Sequence, residues 1–167
     1  MAEAVRILGI DPGLRRTGWG VIACAGQRVS FVASGTLTPA PSETIAERLC
    51  ALSDALDRLV AEYRPDEASV EETFVNANPR SALKLGQARG VCLLAPARAG
   101  VPVSEYAANQ IKKSVVGAGH ADKTQVGAMV ARLLPGSRAE TTDAADALAI
   151  ALCHAFHRSA PSVRAVS

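Results

Sequence analysis

The apolar run Val5-Arg6-Ile7-Leu8-Gly9-Ile10 closes abruptly in Asp11-Pro12-Gly13. A short apolar run bounded by proline and glycine is a buried strand that ends in a turn. Gly18 to Cys24 and Arg28 to Thr38 read as two further strands, joined near Ala25-Gly26. Three strands in quick succession predict an antiparallel meander. The acid at the end of the first strand is then the first candidate for chemistry.

Beyond the meander the period changes. Ile45, Leu49, Leu52, Leu56, Leu59 and Val60 recur at helical spacing, with Ser42 as the expected cap and Pro65 as the stop. Ala68-Ser69-Val70 leads a fourth strand into Glu71-Glu72-Thr73-Phe74. Asn78-Pro79 opens a helix that runs toward Leu94, and Pro96 is expected to end or kink it. Val101 to Tyr106 reads as a fifth strand. Helices follow around Gln110 to Val116, Asp122 to Leu134 and Thr142 to His157. Strands connected through helices bury both sheet faces. The expectation is an α/β fold around a mixed five-stranded sheet, a three-strand antiparallel meander plus two parallel strands, flanked by helices. With 167 residues and 49% hydrophobic side chains, a single domain over residues 1–157 is expected, with 158–167 as a disordered tail. Aromatics are only 4%, so the core must be aliphatic and rich in alanine.

Cys24, Cys50, Cys92 and Cys153 form no CxxC pair and have apolar neighbours, so reduced, buried thiols are expected rather than zinc or disulfides. No apolar run approaches the roughly 20 residues of a membrane span, and the N-terminus lacks the pattern of a signal peptide. A soluble, cytoplasmic protein is the expectation.

Acids fall where a fold would not ordinarily place them. Asp11 and Glu71 follow apolar strands, and Asp143 and Asp146 lie three apart on one face of the last helix. Each has an ordinary reading. Asp11-Pro12-Gly13 alone is a turn, and Asp143 alone is an acid at a helix N-terminus. Glu72 is the outward neighbour of Glu71, because strand residues alternate faces. Together the four carboxylates can converge on one point, where they repel unless a cation joins them. Hard oxygen ligands favour Mg²⁺ or Mn²⁺, and two such ions about 4 Å apart bracket a phosphodiester.

Five blocks carry a resemblance. They are Gly9-Ile10-Asp11-Pro12-Gly13 with Thr17-Gly18-Trp19-Gly20-Val21; Val70-Glu71; Ser81 to Gly90; Val115-Val116-Gly117 with Lys123-Thr124-Gln125-Val126; and Asp143 to Ala149. From Ile7 to about His154 the chain resembles the RuvC family of bacterial Holliday-junction endonucleases. The resemblance implies an RNase H-like fold, a homodimer, and cutting of two opposed strands of a four-way DNA junction. Two Mg²⁺ ions per site are implied, with Mn²⁺ as a substitute, and hydrolysis that leaves a 5′-phosphate and a 3′-hydroxyl. Asp11, Glu71, Asp143 and Asp146 match the family's catalytic, metal-holding carboxylates, with Asp11 bridging both ions. The RuvA–RuvB branch-migration complex is the implied partner.

Charge placement agrees with a DNA partner. The formal net charge is only +2, but Arg80, Lys84, Arg89, Arg98, Lys112, Lys113 and Lys123 face just Glu105 and Asp122 within one segment. Lys112 and Lys123 match family lysines near the site. Lys84 and Arg89 lie in the Ser81 to Gly90 block and are further candidates for DNA contact. Phe74 matches an aromatic that stacks on bases near the junction centre. Arg98 reads as solvated, His120 as an idle surface histidine, and Trp19 and Tyr106 as packing residues. A basic residue would be expected near Ala77, and Pro96 is unexpected in the family's long helix. The helix from Ser81 to Leu94, with Gly86, Ala88 and Gly90, is the expected dimer face.

Three rivals remain. An ATPase of the actin and sugar-kinase type needs a second domain and a second phosphate loop, for which the chain has no room. A module that binds branched DNA without cutting would lack a carboxylate. Another RNase H-like nuclease would lack the Ser81 to Gly90 block.

Overall fold

The computed structural model describes residues 3–72 and 78–158. The meander forms as expected: β1 (Val5–Asp11) pairs antiparallel with β2 (Thr17–Ala25), and β2 with β3 (Arg28–Leu37). β4 (Glu67–Glu72) lies parallel to β1, and β5 (Val103–Ala107) parallel to β4, giving the order β3-β2-β1-β4-β5. The helices are α1 (Ile45–Tyr63), α2 (Pro79–Arg98), α3 (Ala108–Val116), α4 (Lys123–Leu133) and α5 (Thr142–His157).

Local chemistry explains most boundaries. Thr44, not Ser42, caps α1: its hydroxyl accepts from the Glu47 amide at 3.2 Å, while Glu47 accepts from the Thr44 amide at 2.7 Å. That reciprocal box satisfies two orphan donors, which Ser42 cannot do from outside it. α1 stops at Arg64, which turns left-handed (φ 47°) before Pro65. Asn78 caps α2 by accepting from the amides of Arg80 and Ser81, with Pro79 in the first turn. Pro96 neither ends α2 nor starts its last loop; the helix runs through it to Arg98. Only the last turn follows the proline, so few backbone bonds are at stake. β5 begins at Val103 rather than Val101, because Val101 donates back to the Pro96 carbonyl.

Strand alternation divides the sheet between two cores. Leu8, Ile10, Val21, Ala68 and Val70 face α1 and α2. Ile7, Ile22 and Cys24 face α3, α4 and α5. α5 carries four fully buried small residues, Ala144, Ala147, Ala149 and Ala151, and lies directly against the strands. Glycine makes that approach possible. A Cβ on Gly9 would stand 2.1 Å from the Ala147 carbonyl oxygen, and one on Gly18 would stand 2.0 Å from that of Asp143. The shortage of aromatics is thus met by an alanine helix seated on a glycine-bearing face.

Cys24, Cys92 and Cys153 are buried thiols, as expected, but Cys50 is exposed on α1. Arg158, assigned to the tail by sequence, is held by Glu67 through both Nε and Nη2. The rest of the expected tail lies outside the described residues. Among those residues no helix is long and apolar enough to cross a membrane.

Candidate active site

Asp11 and Glu71 belong to the strand face that meets α5. Asp11 continues the Ile7, Gly9 phase of β1, and Glu71 continues the Glu67, Ser69 phase of β4. α5 runs back along them. Ser69 donates its hydroxyl to the Ile150 carbonyl at 3.3 Å, which fixes the helix against β4 one turn beyond Asp146. Glu72 points the other way and is exposed, as alternation requires.

Asp11, Glu71 and Asp146 line one cavity of about 240 Å³, together with Lys112 and Lys123. Asp143 does not line it. It sits at the start of α5 and lines an adjoining groove of about 950 Å³. It remains within electrostatic reach, because its charge helps to raise both Asp11 and Asp146. The four predicted carboxylates therefore form three in one pocket and one at its border.

The electrostatics are those of crowded acids. Burial, then the charges of Glu71, Asp146 and Asp143, push the Asp11 carboxyl up to about 8. Glu71 is raised by burial and by Asp146, while a hydrogen bond with Asp11 opposes the rise. Asp146 is raised by burial, against the opposing pull of Lys123, whose ammonium stands 3.5 Å from its carboxylate. Lys112 adds the same pull on Glu71 and Asp146. The ammonium groups of Lys112 and Lys123 offset part of that crowding.

That donor set suits a hard divalent cation. It is all oxygen, Asp11, Glu71 and Asp146 are held above their ordinary range, and added positive charge would relieve them. Among the described residues no three acidic, histidine or cysteine side chains are already drawn into a metal-ligating group. A cation would have to gather them.

The other predicted residues separate. Lys84 is exposed and lines the larger groove beside Asp143. Arg89 has a different occupation from the expected one. Its Nε donates to the Glu71 carbonyl at 3.3 Å and its guanidinium pairs with Glu105, so it ties α2 to β4 and β5. Arg98 is not merely solvated but bonds Asp57 at 2.6 Å. His120 is exposed. Trp19 packs near Tyr63, and Tyr106 bonds His154 at 2.8 Å. Phe74 and Ala77 lie outside the described residues. On α2, Ala88 is fully buried against its own sheet and cannot belong to a dimer face, whereas Gly86 and Gly90 are open. Arg15, Arg16 and Arg48, not among the residues expected from sequence, line the larger groove. The signal was the Arg15-Arg16 pair in the turn directly after Asp11-Pro12-Gly13.

Comparison with known proteins agrees with this geometry. The family model for crossover junction endodeoxyribonuclease RuvC matches residues 7–154. A protein of that name from Maricaulis maris is 61% identical over 163 residues, 98% of each chain. One from Paramagnetospirillum magneticum is 60% identical over 92% of this chain and 93% of its own. The structure of Thermus thermophilus RuvC in complex with Holliday junction substrate superposes with a TM-score of 0.84 at 36% identity, over 91% of this chain and 93% of that one.

Proposed function

This chain belongs to the RuvC family of crossover junction endodeoxyribonucleases, and on that footing we propose that it resolves four-way DNA junctions in recombination and repair by hydrolysing two opposed strands. The observation that carries the reading is the pocket in which Asp11, Glu71 and Asp146 meet Lys112 and Lys123 at the ends of two parallel strands.

Asp11, Glu71 and Asp146, with Asp143 at the border, are the residues that would hold two Mg²⁺ ions, or Mn²⁺ in their place. Bound there, such ions supply Lewis-acid stabilisation of phosphoryl charge and a more acidic water. The chain's own groups do the rest. Lys112 and Lys123 offset the phosphate charge beside the cut, and the buried carboxylates orient what enters the pocket. The products are a 5′-phosphate and a 3′-hydroxyl. Phe74 stacks on unpaired bases at the junction centre, and the enzyme works in the cytoplasm with the RuvA–RuvB complex.

A four-way junction has two-fold symmetry, so paired cuts call for a two-fold dimer. The exposed line Leu83, Gly86, Gly90 and Leu94 on α2 supports this. Leu83 is 71% and Leu94 55% exposed, and the glycines between them have nothing within 4 Å of an added Cβ.

The test is a cutting assay on a synthetic four-way junction, a linear duplex and an RNA–DNA hybrid, with Mg²⁺ and with EDTA. Symmetric, ligatable nicks in the junction alone, absent in EDTA and in Asp146→Asn, are expected. Equal cutting of the hybrid would move the chain to another substrate.

A further inference from the structure

We infer that the groove beside Asp143 is a second DNA-binding subsite, which takes the phosphates of a junction arm through Arg15, Arg16, Arg48 and Lys84. It rests on the nuclease reading above and extends that reading to residues outside the catalytic pocket.

The groove is walled by five parts of the chain: the loop after β1, the connection from β3 to α1, the start of α1 with Arg48, the first turns of α2, and the start of α5. Its charge is lopsided. Four cations line it, and Asp143 is its one acid. None of the four cations has a carboxylate partner among the described residues. Arg48 reaches only the Ala40 carbonyl, at 3.5 Å. Three guanidinium groups outside the groove are spent on acids of the fold, Arg89 on Glu105, Arg98 on Asp57 and Arg158 on Glu67, and what sets the groove apart is that four unspent cations share one concave wall. A concave surface with several unmatched cations is electrostatically incomplete, and a polyanion completes it.

The groove is also anchored. Thr17 is fully buried, and its hydroxyl both accepts from the Gly13 amide at 3.3 Å and donates to the Gly13 carbonyl at 2.7 Å. That clasp closes the turn from which Arg15 and Arg16 project. On the far wall, Thr36 and the α5 cap Thr141 share a 2.6 Å hydrogen bond. Arg15 and Arg16 are thus offered from a tied turn.

Position decides the ligand. The groove and the catalytic cavity share no lining residue, yet Asp143 and Asp146, which line one each, are one helical turn apart. A strand whose phosphate rests among the carboxylates has Lys112 and Lys123 in one cavity and the four cations in the next. Cations spread over the β1–β2 loop, α1 and α2 suit successive phosphates of a nucleic-acid backbone, and guanidinium forks match phosphate oxygens in pairs. The contacts carry no base information, so the subsite positions the arm rather than reading sequence.

The experiment is a salt titration of junction binding in EDTA, where no cutting occurs. Wild type is compared with Arg15→Ala/Arg16→Ala/Arg48→Ala, with the triple lysine version, and with Arg98→Ala as a control away from the groove. The slope of log affinity against log salt should fall by about 0.9 for each arginine lost. Lysines should restore the slope, and Arg98→Ala should leave it alone. Neutral methylphosphonate linkages in the cut strand, on one side of the scissile bond only, should weaken wild type and not the alanine variant. Melting curves confirm that each variant is folded. A triple alanine variant with the wild-type slope and affinity would overturn the subsite while leaving the nuclease reading intact. A wild-type protein that cuts no junction in Mg²⁺ would overturn both.

Discussion

Gly18→Ala is the sharpest probe of how the site is held. Gly18 lies on β2 opposite Asp11 and faces the start of α5. An added Cβ would fall 2.0 Å from the Asp143 carbonyl oxygen, 2.4 Å from its carbonyl carbon and 3.1 Å from its Cα. Ordinary carbon–oxygen contact begins at about 3.3 Å, so the first turn of α5 must retreat by more than about 1 Å. Backbone, unlike a flexible side chain, cannot swing aside. The stability cost should be that of an overpacked core, about 1–3 kcal/mol, or about 2–4 °C of melting temperature per kcal/mol in a chain of this size. The catalytic cost should be larger in proportion, because a displacement of about 1 Å can cost about 100-fold in rate. The assay is single-turnover junction cleavage at saturating protein and Mg²⁺, paired with thermal melting. Gly127→Ala is the control: it lies within α4 with nothing within 4 Å of a Cβ. It should gain about 0.5–1 kcal/mol and cut normally. A Gly18→Ala enzyme that cuts at the wild-type rate would refute the claim that the seat of α5 sets the position of Asp143 and Asp146.

Three further outcomes follow from the same geometry. Asp11 titrates near 8 in the fold against an ordinary 3.8, so over that window the native state keeps a proton that the unfolded chain releases; stability in EDTA should therefore fall as pH rises through it, and the melting curve of Asp11→Asn against pH should be flatter, equal slopes contradicting the shift. Glu67 is held below its ordinary 4.5 by Arg158 first and by His154 after it, so its contribution is complete above 4.5 and disappears as pH falls through its lowered value. Glu67→Gln should cost about 2 kcal/mol at pH 7, with the gap to wild type closing in acid. Glu71→Gln should abolish cutting while Glu72→Gln leaves it near wild type; an essential Glu72 would mean a register error of one in β4.

What was legible in the sequence is what short-range periodicity encodes. The period of two in β1 and β4 separates Asp11 and Glu71 from Ile10 and Glu72 without reference to the rest of the fold. The spacing of three keeps Asp143 and Asp146 on one side of α5. Asn78-Pro79 marks the start of α2 because cap and proline act within one turn. The Thr44 to Glu47 box is equally local: an acid stands three residues after Thr44, whereas Ile45 stands three after Ser42 and can return no hydrogen bond.

What was not legible depends on partners far apart in the chain. Arg80 to Lys123 reads as a basic segment, yet Arg89 and Arg98 within it are spent on Glu105 and Asp57, the second of which lies 41 residues away. Counting charge along the chain therefore overstated that segment's attraction for phosphate. It understated the stretch from Gly13 to Arg48, whose two acids, Glu43 and Glu47, are both absent from the groove wall. Glu47 is turned back onto Thr44 as a helix cap, so its neighbour Arg48 enters the groove without it. Electrostatic reach toward DNA is set by which cations the fold leaves unmatched, and for Arg15, Arg16 and Arg48 that is decided by where β1, α1, α2 and α5 bring their ends together.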